Sequence, residues 1–333
     1  MKTCRLLILL ALFLQIPIQN FAQKINGISF VASKDSISIK HVQPILKMHS
    51  NFVALMPFGF VKGLETPEVR YNSNRQWFGE TKKGLKHYAT AFQKNKVKIM
   101  VKPQIWVWRG QYTGFIKMKT EDAWKILEKS YEKFILDYAG IAAEIQADIL
   151  CIGTELEKFI ANRPIYWIQL IAKIRNIYKG KLTYASNWDE FKRVPFWDKL
   201  DYIGVDAYFP LSEQKTPSVS ELEKGWESHK NEIQRIQQQF QKPILFTEFG
   251  YRSINFTAKE PWSSAHVQGN VNLKAQANAT QAIFNQFWKE DWFAGGFLWK
   301  WFHNVEKSGG EKNNRFTPQN KPAGKLIQQL YTQ

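Results

Sequence analysis

The sequence predicts an α/β fold in which eight parallel strands close into a single-domain (β/α)8 TIM barrel. Eight short apolar segments alternate with segments of helical periodicity, and such alternation is typical of parallel strands joined by helices. Two of these segments, 148–155 and 243–250, each carry a glutamate at the carboxyl end. No glycine-rich phosphate loop follows the first strand, which disfavours an open doubly wound sheet.

The predicted elements follow one another along the whole chain after residue 23. Strands are predicted at 24–31, 51–56, 96–101, 148–155, 182–189, 200–208, 243–251 and 295–301. Helices are predicted before 48, at 81–94, 120–146, 164–178 and 221–240, before 288, and from 322 onwards. Thr120 is expected to cap its helix, with Glu121 and Asp122 in the first turn. Two long loops, 57–74 and 249–269, are of a length that usually indicates function or mobility.

The amino-terminal residues 1–22 have the pattern of a signal peptide. Lys2 and Arg5 precede an apolar run from 6 to 14, and Ala22 is a small residue at a plausible cleavage point, although Asn20 occupies the position three before the cut. The apolar run is too short to span a bilayer comfortably, so no stable membrane insertion is expected. We therefore expect an exported protein, periplasmic or extracellular, with a catalytic domain at 23–333.

Composition and charge indicate which classes of molecule the protein is expected to bind. The formal net charge is +17, but the lysines are dispersed and no nucleic-acid-binding motif accompanies them, so no nucleic acid partner is expected. Removal of residues 1–22 leaves Cys151 as the one cysteine, in an apolar strand context that predicts an inert buried thiol. No Cys/His cluster has metal-ligand spacing, and no cofactor is expected. The chain is rich in aromatic residues, with 13 Trp, 12 Tyr and 24 Phe.

The two strand-end glutamates, Glu155 and Glu248, suggest a pair of carboxylates that act on one bond. A single such glutamate could equally cap a helix or join a salt bridge. Two carboxylates at the mouth of a barrel, surrounded by Trp, Tyr and Asn, fit glycoside hydrolysis, in which one carboxyl protonates the leaving oxygen and the other acts as nucleophile or base. Glu157, two residues after Glu155, competes for the first role, since both would face the same way in a continuing strand.

Several segments resemble known glycosidases. Thr154-Glu155 and Thr247-Glu248-Phe249-Gly250 resemble the clan of retaining barrel glycosidases, and segments 152–157, 182–190 and 201–211 are similar to glycoside hydrolase family 113, whose characterised members are β-1,4-mannanases. The resemblance covers roughly residue 25 to the end. It implies that Glu155 is the general acid/base and Glu248 the nucleophile of a double displacement with retention, with carboxyl groups about 5–5.5 Å apart.

The same resemblance implies further contacts with substrate. Tyr208 would hydrogen-bond the nucleophile, Trp299 would form the floor of the subsite of the cleaved sugar, and Asn187 and Trp188 would line the cleft. Thr154 replaces the Asn that this clan usually has before its acid/base, so the contact to the sugar 2-hydroxyl is not fixed by this motif.

Other candidate residues come from their position near strand ends. Lys102 and Gln104 could bond sugar hydroxyls or be structural, and Asp206 is either a site carboxylate or a buried ion-pair partner. Trp106, Trp108 and Trp262 are sugar platforms or outer packing, and His266 and His303 are ligand contacts or surface residues. The substrate is expected to be a polysaccharide or oligosaccharide. The alternatives are a hydrolase of another β-linked, possibly anionic, glycan and a non-catalytic carbohydrate-binding barrel. The sequence does not predict the oligomeric state.

Overall fold

The computed structural model describes residues 23–263 and 268–332. The predicted signal peptide at 1–22 and His266 lie outside the described residues. In the part of the chain that is described, no helix combines the length and apolarity needed to cross a bilayer.

Eleven strands and eight α-helices occur in these ranges, together with short 3₁₀ turns. The strands are β1 (Ile25–Phe30), β2 (Phe52–Leu55), β3 (Phe58–Val61), β4 (Arg70–Tyr71), β5 (Lys98–Val101), β6 (Gln104–Val107), β7 (Ile149–Thr154), β8 (Lys181–Asn187), β9 (Ile203–Asp206), β10 (Ile244–Phe249) and β11 (Phe293–Trp301). The helices are α1 (Ile39–Lys47), α2 (Lys82–Gln93), α3 (Glu121–Glu144), α4 (Glu157–Asn162), α5 (Pro164–Ile177), α6 (Val219–Phe240), α7 (Leu273–Phe287) and α8 (Pro322–Leu330).

Eight of the strands close into a barrel, as predicted. The order around the barrel is β1, β2, β5, β7, β8, β9, β10 and β11, and β11 pairs with β1 to complete the ring. Every neighbouring pair is parallel. The α/β class and the single-domain (β/α)8 architecture are therefore confirmed.

Two apolar clusters hold the barrel together. The larger lies between the strands and the surrounding helices, and it includes the fully buried Trp167, Trp197 and Trp226. The smaller is formed by residues of the barrel strands such as Phe52, Met100 and Phe297. Cys151 belongs to this smaller cluster, and burial raises the pKa of its thiol to about 11, which agrees with the expected inert thiol.

The loop predicted at 57–74 instead contributes two strands, β3 and β4, to a small additional sheet whose third strand is β6. β3 and β6 follow β2 and β5 almost directly and pair in parallel, and the short strand β4 pairs antiparallel with the other edge of β3. Gly59 suggests a turn in the sequence, but it lies within β3, where a Cβ atom would be 2.7 Å from the side chain of Val69. Its role is thus to allow close packing. This sheet extends the structure beyond the carboxyl ends of β2 and β5, on the side where catalysis occurs in such barrels.

The other predicted elements agree with the structure apart from their ends. Thr120 caps α3 as expected, since its hydroxyl accepts a hydrogen bond from the Ala123 backbone. The strand predicted at 200–208 is shorter, and β9 occupies only Ile203–Asp206. The short helix α4 was not predicted, because its six residues provide less than two turns of periodicity.

Candidate active site

A cavity of about 650 Å³ opens at the carboxyl ends of the barrel strands. Glu155 and Glu248 both line it, from β7 and β10 respectively. Four other predicted or weighed site residues also line it: Gln104, Trp106, Thr154 and Trp299. The structure therefore brings the two strand-end glutamates to one cavity, and their catalytic roles stay a prediction.

Glu248 is the penultimate residue of β10 and is almost fully buried, at 6% exposure. One of its carboxylate oxygens accepts hydrogen bonds from Lys102 Nζ at 2.5 Å and from Gln104 Nε2 at 3.1 Å. The other oxygen accepts from Tyr208 Oη at 2.8 Å, which is the contact that the resemblance implies. Three donors thus fix the orientation of this carboxylate and suit its ionised form.

Behind Glu248 lies a fully buried ion pair. Lys102 Nζ is 3.3 Å from Asp206 Oδ1, which also accepts a hydrogen bond of 2.7 Å from Thr247. The position of Asp206 follows from strand register, since it is paired with Glu248 across β9 and β10. Burial and then the Glu248 charge raise the pKa of Asp206 to about 7, although Lys102 and the hydrogen bond from Thr247 act in the opposite direction. Burial alone would lower the pKa of Lys102, but the two carboxylates hold it above its usual range.

This geometry bears on two of the sequence predictions. Asp206 has the ion-pair role that was one of its two alternatives. For Lys102 the alternatives are a bond to sugar hydroxyls and a structural role; its ammonium is fully buried against two carboxylates, so its contacts favour positioning of Glu248. A direct contact of either residue with sugar stays a prediction.

Glu155 has a different environment. It lies immediately after β7, partly exposed to the cavity, and in the part of the chain that the structure describes no side chain donates a hydrogen bond to its carboxyl. Burial, and then the charges of Asp206 and Glu248, raise its pKa well above the usual range. A carboxyl in this setting keeps its proton to higher pH than a solvent-exposed carboxyl does, and it can donate that proton.

The backbone separates Glu155 from its competitor Glu157. Glu155 has a φ of 50°, in the left-handed region that non-glycine residues rarely adopt, and its N–H donates to Ala185 at 2.7 Å. The alternation of a continuing strand therefore does not apply to Glu157, which begins α4 and accepts a hydrogen bond of 2.8 Å from Arg193. Only Glu155 of the two lines the cavity.

Support for this bend comes from a buried residue that the sequence did not single out. Glu190 accepts hydrogen bonds from Tyr184 Oη at 2.8 Å and from the Asn187 backbone at 3.0 Å. The Tyr184 hydroxyl in turn accepts from the N–H of Leu156, the residue after Glu155. Asn187 thus lies at the end of β8 within this network, and its side-chain oxygen accepts from the Trp188 N–H.

The predicted aromatic residues occupy three different places. Trp299 and Trp106 line the cavity, and Trp106 is 48% exposed. Trp188 stacks on Trp262, with centroids 5.3 Å apart and an angle of 15°, and neither lines the cavity. Trp108 is 67% exposed in a turn after β6 and does not line the cavity either. Sugar binding by Trp108, Trp188 and Trp262 stays a prediction.

Sequence reasoning missed several cavity residues that come from loops or follow a predicted site residue. Tyr112 has a buried hydroxyl without a hydrogen-bond partner among the described residues, and burial and then the Glu155 charge raise its pKa. Lys300 directly follows Trp299, whereas Arg315 belongs to the segment before α8. Trp77 lies before a 3₁₀ turn. Only Lys300 carried a signal in the sequence, as a cation at the carboxyl end of a barrel strand.

Comparison with solved structures shows the same fold in other proteins. A complex structure of a family 113 β-1,4-mannanase is 21% identical with a TM-score of 0.81, and the match covers 93% of this chain and 99% of that one. The β-mannanase AaManA from Alicyclobacillus acidocaldarius, in complex with ManMIm, is 22% identical with a TM-score of 0.80 over 93% and 98% of the two chains. A Ruminococcus gnavus β-glucuronidase is more distant, at 13% identity, a TM-score of 0.58 and coverage of 88% and 46%.

Comparison with curated proteins finds no match. The family model for Glycoside Hydrolase Family 113 matches residues 31–321, which is most of the chain and includes both glutamates of the cavity. This chain therefore belongs to glycoside hydrolase family 113, and it is a glycoside hydrolase.

Proposed function

We propose that this enzyme cleaves β-1,4-mannosidic bonds in mannan-type polysaccharides or oligosaccharides by double displacement with net retention. The observation that carries the proposal is the contrast between two glutamates at one cavity. Glu248 is held by three donors, whereas Glu155 has a raised pKa and no side-chain donor among the described residues. Pairs of carboxyls with environments that differ in this way are typical of glycosidase acids and nucleophiles.

In this mechanism Glu155 protonates the leaving oxygen while Glu248 attacks the anomeric carbon and forms a covalent glycosyl-enzyme. Glu155, now ionised, removes a proton from water, which attacks the anomeric carbon and releases the sugar from Glu248. Lys102 and Tyr208 hold Glu248 in place for attack and stabilise its charge when it leaves. Trp299 offers an apolar face to the sugar at the cleaved bond.

The choice of mannan rests on family membership and on the fold shared with the two β-mannanases. Hydrolysis of another β-linked glycan would use the same two glutamates. A non-catalytic carbohydrate-binding barrel would need neither of them, and the opposed environments of Glu155 and Glu248 favour an enzyme over that alternative.

The test is hydrolysis of β-1,4-mannan, β-glucan, xylan and acidic glycans by the purified protein, with NMR detection of the first anomer released. Short manno-oligosaccharides released initially as β-anomers are the expected result. Release of α-anomers would refute retention, and activity on another polymer alone would refute the choice of mannan.

Rescue by azide tests the two roles separately on an aryl β-mannoside. Azide should restore turnover of Glu155→Ala with a β-glycosyl azide as product, because it replaces water in the second step. It should give an α-glycosyl azide with Glu248→Ala, because it replaces the nucleophile on the opposite face. Glu157→Ala is the matched control and should give no azide product. The reverse pattern of anomers would exchange the two assignments.

Export is part of the proposal, because residues 1–22 have the pattern of a signal peptide. Expression of the full chain should yield a product in the periplasm or medium that is shorter at the amino terminus, and deletion of residues 2–22 should retain the protein in the cytoplasm. An uncleaved cytoplasmic product of the full chain would refute export.

A further inference from the structure

Two cations line the cavity that holds the catalytic glutamates. Lys300 lies in β11 directly after Trp299, and Arg315 comes from the segment before α8. Arg315 is close enough to Lys300 for its charge to affect the Lys300 pKa, so the two cations share the Trp299 side of the cavity. Binding of a neutral polysaccharide does not require positive charge there.

The Glu248 charge acts on Lys300 without a direct contact between the two side chains. Among the residues described in 23–263 and 268–332, no carboxylate forms an ion pair with Lys300 or Arg315. The Lys300 ammonium lies instead over two aromatic rings, 4.9 Å from the Trp299 centroid and 5.6 Å from that of Phe302. Some other lysines of the chain do pair with a carboxylate on the surface, for example Lys173 with Glu132.

The carboxyl groups of the cavity are occupied elsewhere. Glu248 is bonded by Lys102, and Glu155 must carry a proton to act as an acid. Glu80 accepts a hydrogen bond of 3.1 Å from the Trp77 backbone. The positive charges of Lys300 and Arg315 are thus available to a ligand.

Burial makes this charge energetically significant. Lys300 is half-buried, and burial lowers its pKa; the Glu248 charge acts in the opposite direction, and the nearby Arg315 charge lowers the pKa further. The Lys300 ammonium is therefore poorly solvated and lies near a second cation. An anion placed between the two would relieve both effects, and a guanidinium and an ammonium are the groups that bind carboxylates in proteins.

We propose that the Trp299 side of the cavity binds an acidic sugar, whose carboxylate is held by Lys300 and Arg315. The inference rests on the proposed glycosidase function and specifies its substrate class. The acidic ligand that differs least from mannan is a β-1,4-linked manno-oligosaccharide with C6 oxidised to a carboxylate, because it retains the linkage and the ring hydroxyls. The formal net charge of +17 on the chain would attract such a polyanion over longer distances.

The proposal is tested by binding, so that its outcome does not depend on turnover. The hydrolysis-deficient Glu155→Gln protein is titrated by calorimetry with β-1,4-manno-oligosaccharides and with the same oligosaccharides oxidised at C6. We expect at least about tenfold tighter binding of the acidic form at low salt, because charge-assisted hydrogen bonds are the strong ones. The advantage should decrease as salt is added.

Variants locate the effect. Lys300→Gln and Arg315→Gln, each combined with Glu155→Gln, should lose most of the preference for the acidic ligand, whereas Lys300→Arg should keep it. Lys312→Gln removes an exposed charge from the same segment as Arg315 and is the matched control. Arg315 is itself exposed, so its replacement should preserve the fold even if that of Lys300 does not.

Two results would overturn the inference. The first is that the acidic oligosaccharide binds no more tightly than the neutral oligosaccharide. The second is that the preference for the acidic oligosaccharide is equally strong in the Arg315→Gln and Lys312→Gln variants. Failure of the proposed function is a separate observation, namely that the wild-type enzyme hydrolyses neither the neutral nor the acidic oligosaccharide.

Discussion

Replacement of Lys102 by Met would remove the charge that holds the proposed nucleophile while keeping the length of the side chain. Lys102 is fully buried, with its ammonium 2.5 Å from a Glu248 oxygen and 3.3 Å from an Asp206 oxygen. The variant therefore leaves two buried carboxylates next to each other without their shared counter-ion.

The distances from the Lys102 ammonium to the two carboxylates determine the size of the expected loss of unfolding free energy. With an effective dielectric constant of about 20, the attractions of Lys102 to Glu248 and to Asp206 are about 7 and about 5 kcal/mol. The net loss is smaller, because a carboxylate without its counter-ion takes up a proton, and the pKa of Asp206 is already raised to about 7 by burial. Breaking a buried pair typically costs about 3–5 kcal/mol. We expect this loss of unfolding free energy at pH 8 and a smaller one at pH 5, where the carboxyls are more readily protonated.

Denaturant unfolding at both pH values measures the effect. Lys173→Met, which removes one member of an exposed pair with Glu132, is the matched control and should cost at most about 1 kcal/mol. The double variant Lys102→Met/Asp206→Asn should recover part of the stability, since one unpaired carboxylate is removed. A loss for Lys102→Met that equals that of Lys173→Met, or is the same at pH 5 and pH 8, would refute the reasoning.

Three further predictions concern single groups of the site. Glu155→Gln should reduce kcat/KM by about 10²–10⁴-fold for substrates with poor leaving groups and much less for aryl glycosides with acidic phenols. The control variant Glu157→Gln should show no dependence on the leaving group. Equal losses of kcat/KM on both kinds of substrate would exclude Glu155 as the acid. Burial raises the pKa of Glu190 from 4.5 to about 8, so the folded state binds the extra proton and the unfolding free energy should fall as pH rises through this window. Glu190→Gln should flatten that slope in denaturant titrations, and an unchanged slope would contradict the assignment. Tyr208→Phe removes the 2.8 Å hydrogen bond to Glu248 and should lower kcat/KM by about tenfold or more. The circular dichroism spectrum of the variant should be unchanged. A variant with the kcat/KM of the wild type would show that this hydrogen bond is not needed to orient the carboxylate.

The barrel could be predicted because its strands are short apolar runs that alternate with amphipathic helices, and this periodicity is a local property of the sequence. β10 is an example, since all six of its residues are buried. The additional sheet could not be predicted in this way. Its strands have two to four residues, and Gly59 suggests a turn when its function is to allow contact with Val69.

The two glutamates could be predicted for a related reason, because strand ends are local and their meeting point follows from the parallel barrel. The contacts that these glutamates and their cavity receive from distant segments of the chain could not be predicted. Lys102 bonds Glu248 across 146 positions of the sequence, and Arg315 enters the cavity from a loop with no periodic pattern. The choice between Glu155 and Glu157 also needed the backbone, since it depends on one residue with a φ of 50°.

The backbone also accounts for the different environments of the two glutamates, which end strands of the same kind. Glu248 remains within β10, in register with Asp206 of β9, so it lies beside the lysine that pairs with both carboxylates. Glu155 leaves β7 in a left-handed conformation, which turns it away from such donors, and the buried Glu190–Tyr184 network holds the following residue in place. In the proposed mechanism, the nucleophile is therefore the glutamate that stays in the sheet and the acid is the one that departs from it. Substitutions in the Glu190 network should accordingly alter the alkaline limb of the pH–rate profile, where the acid loses its proton, and leave nucleophilic attack on activated substrates less affected.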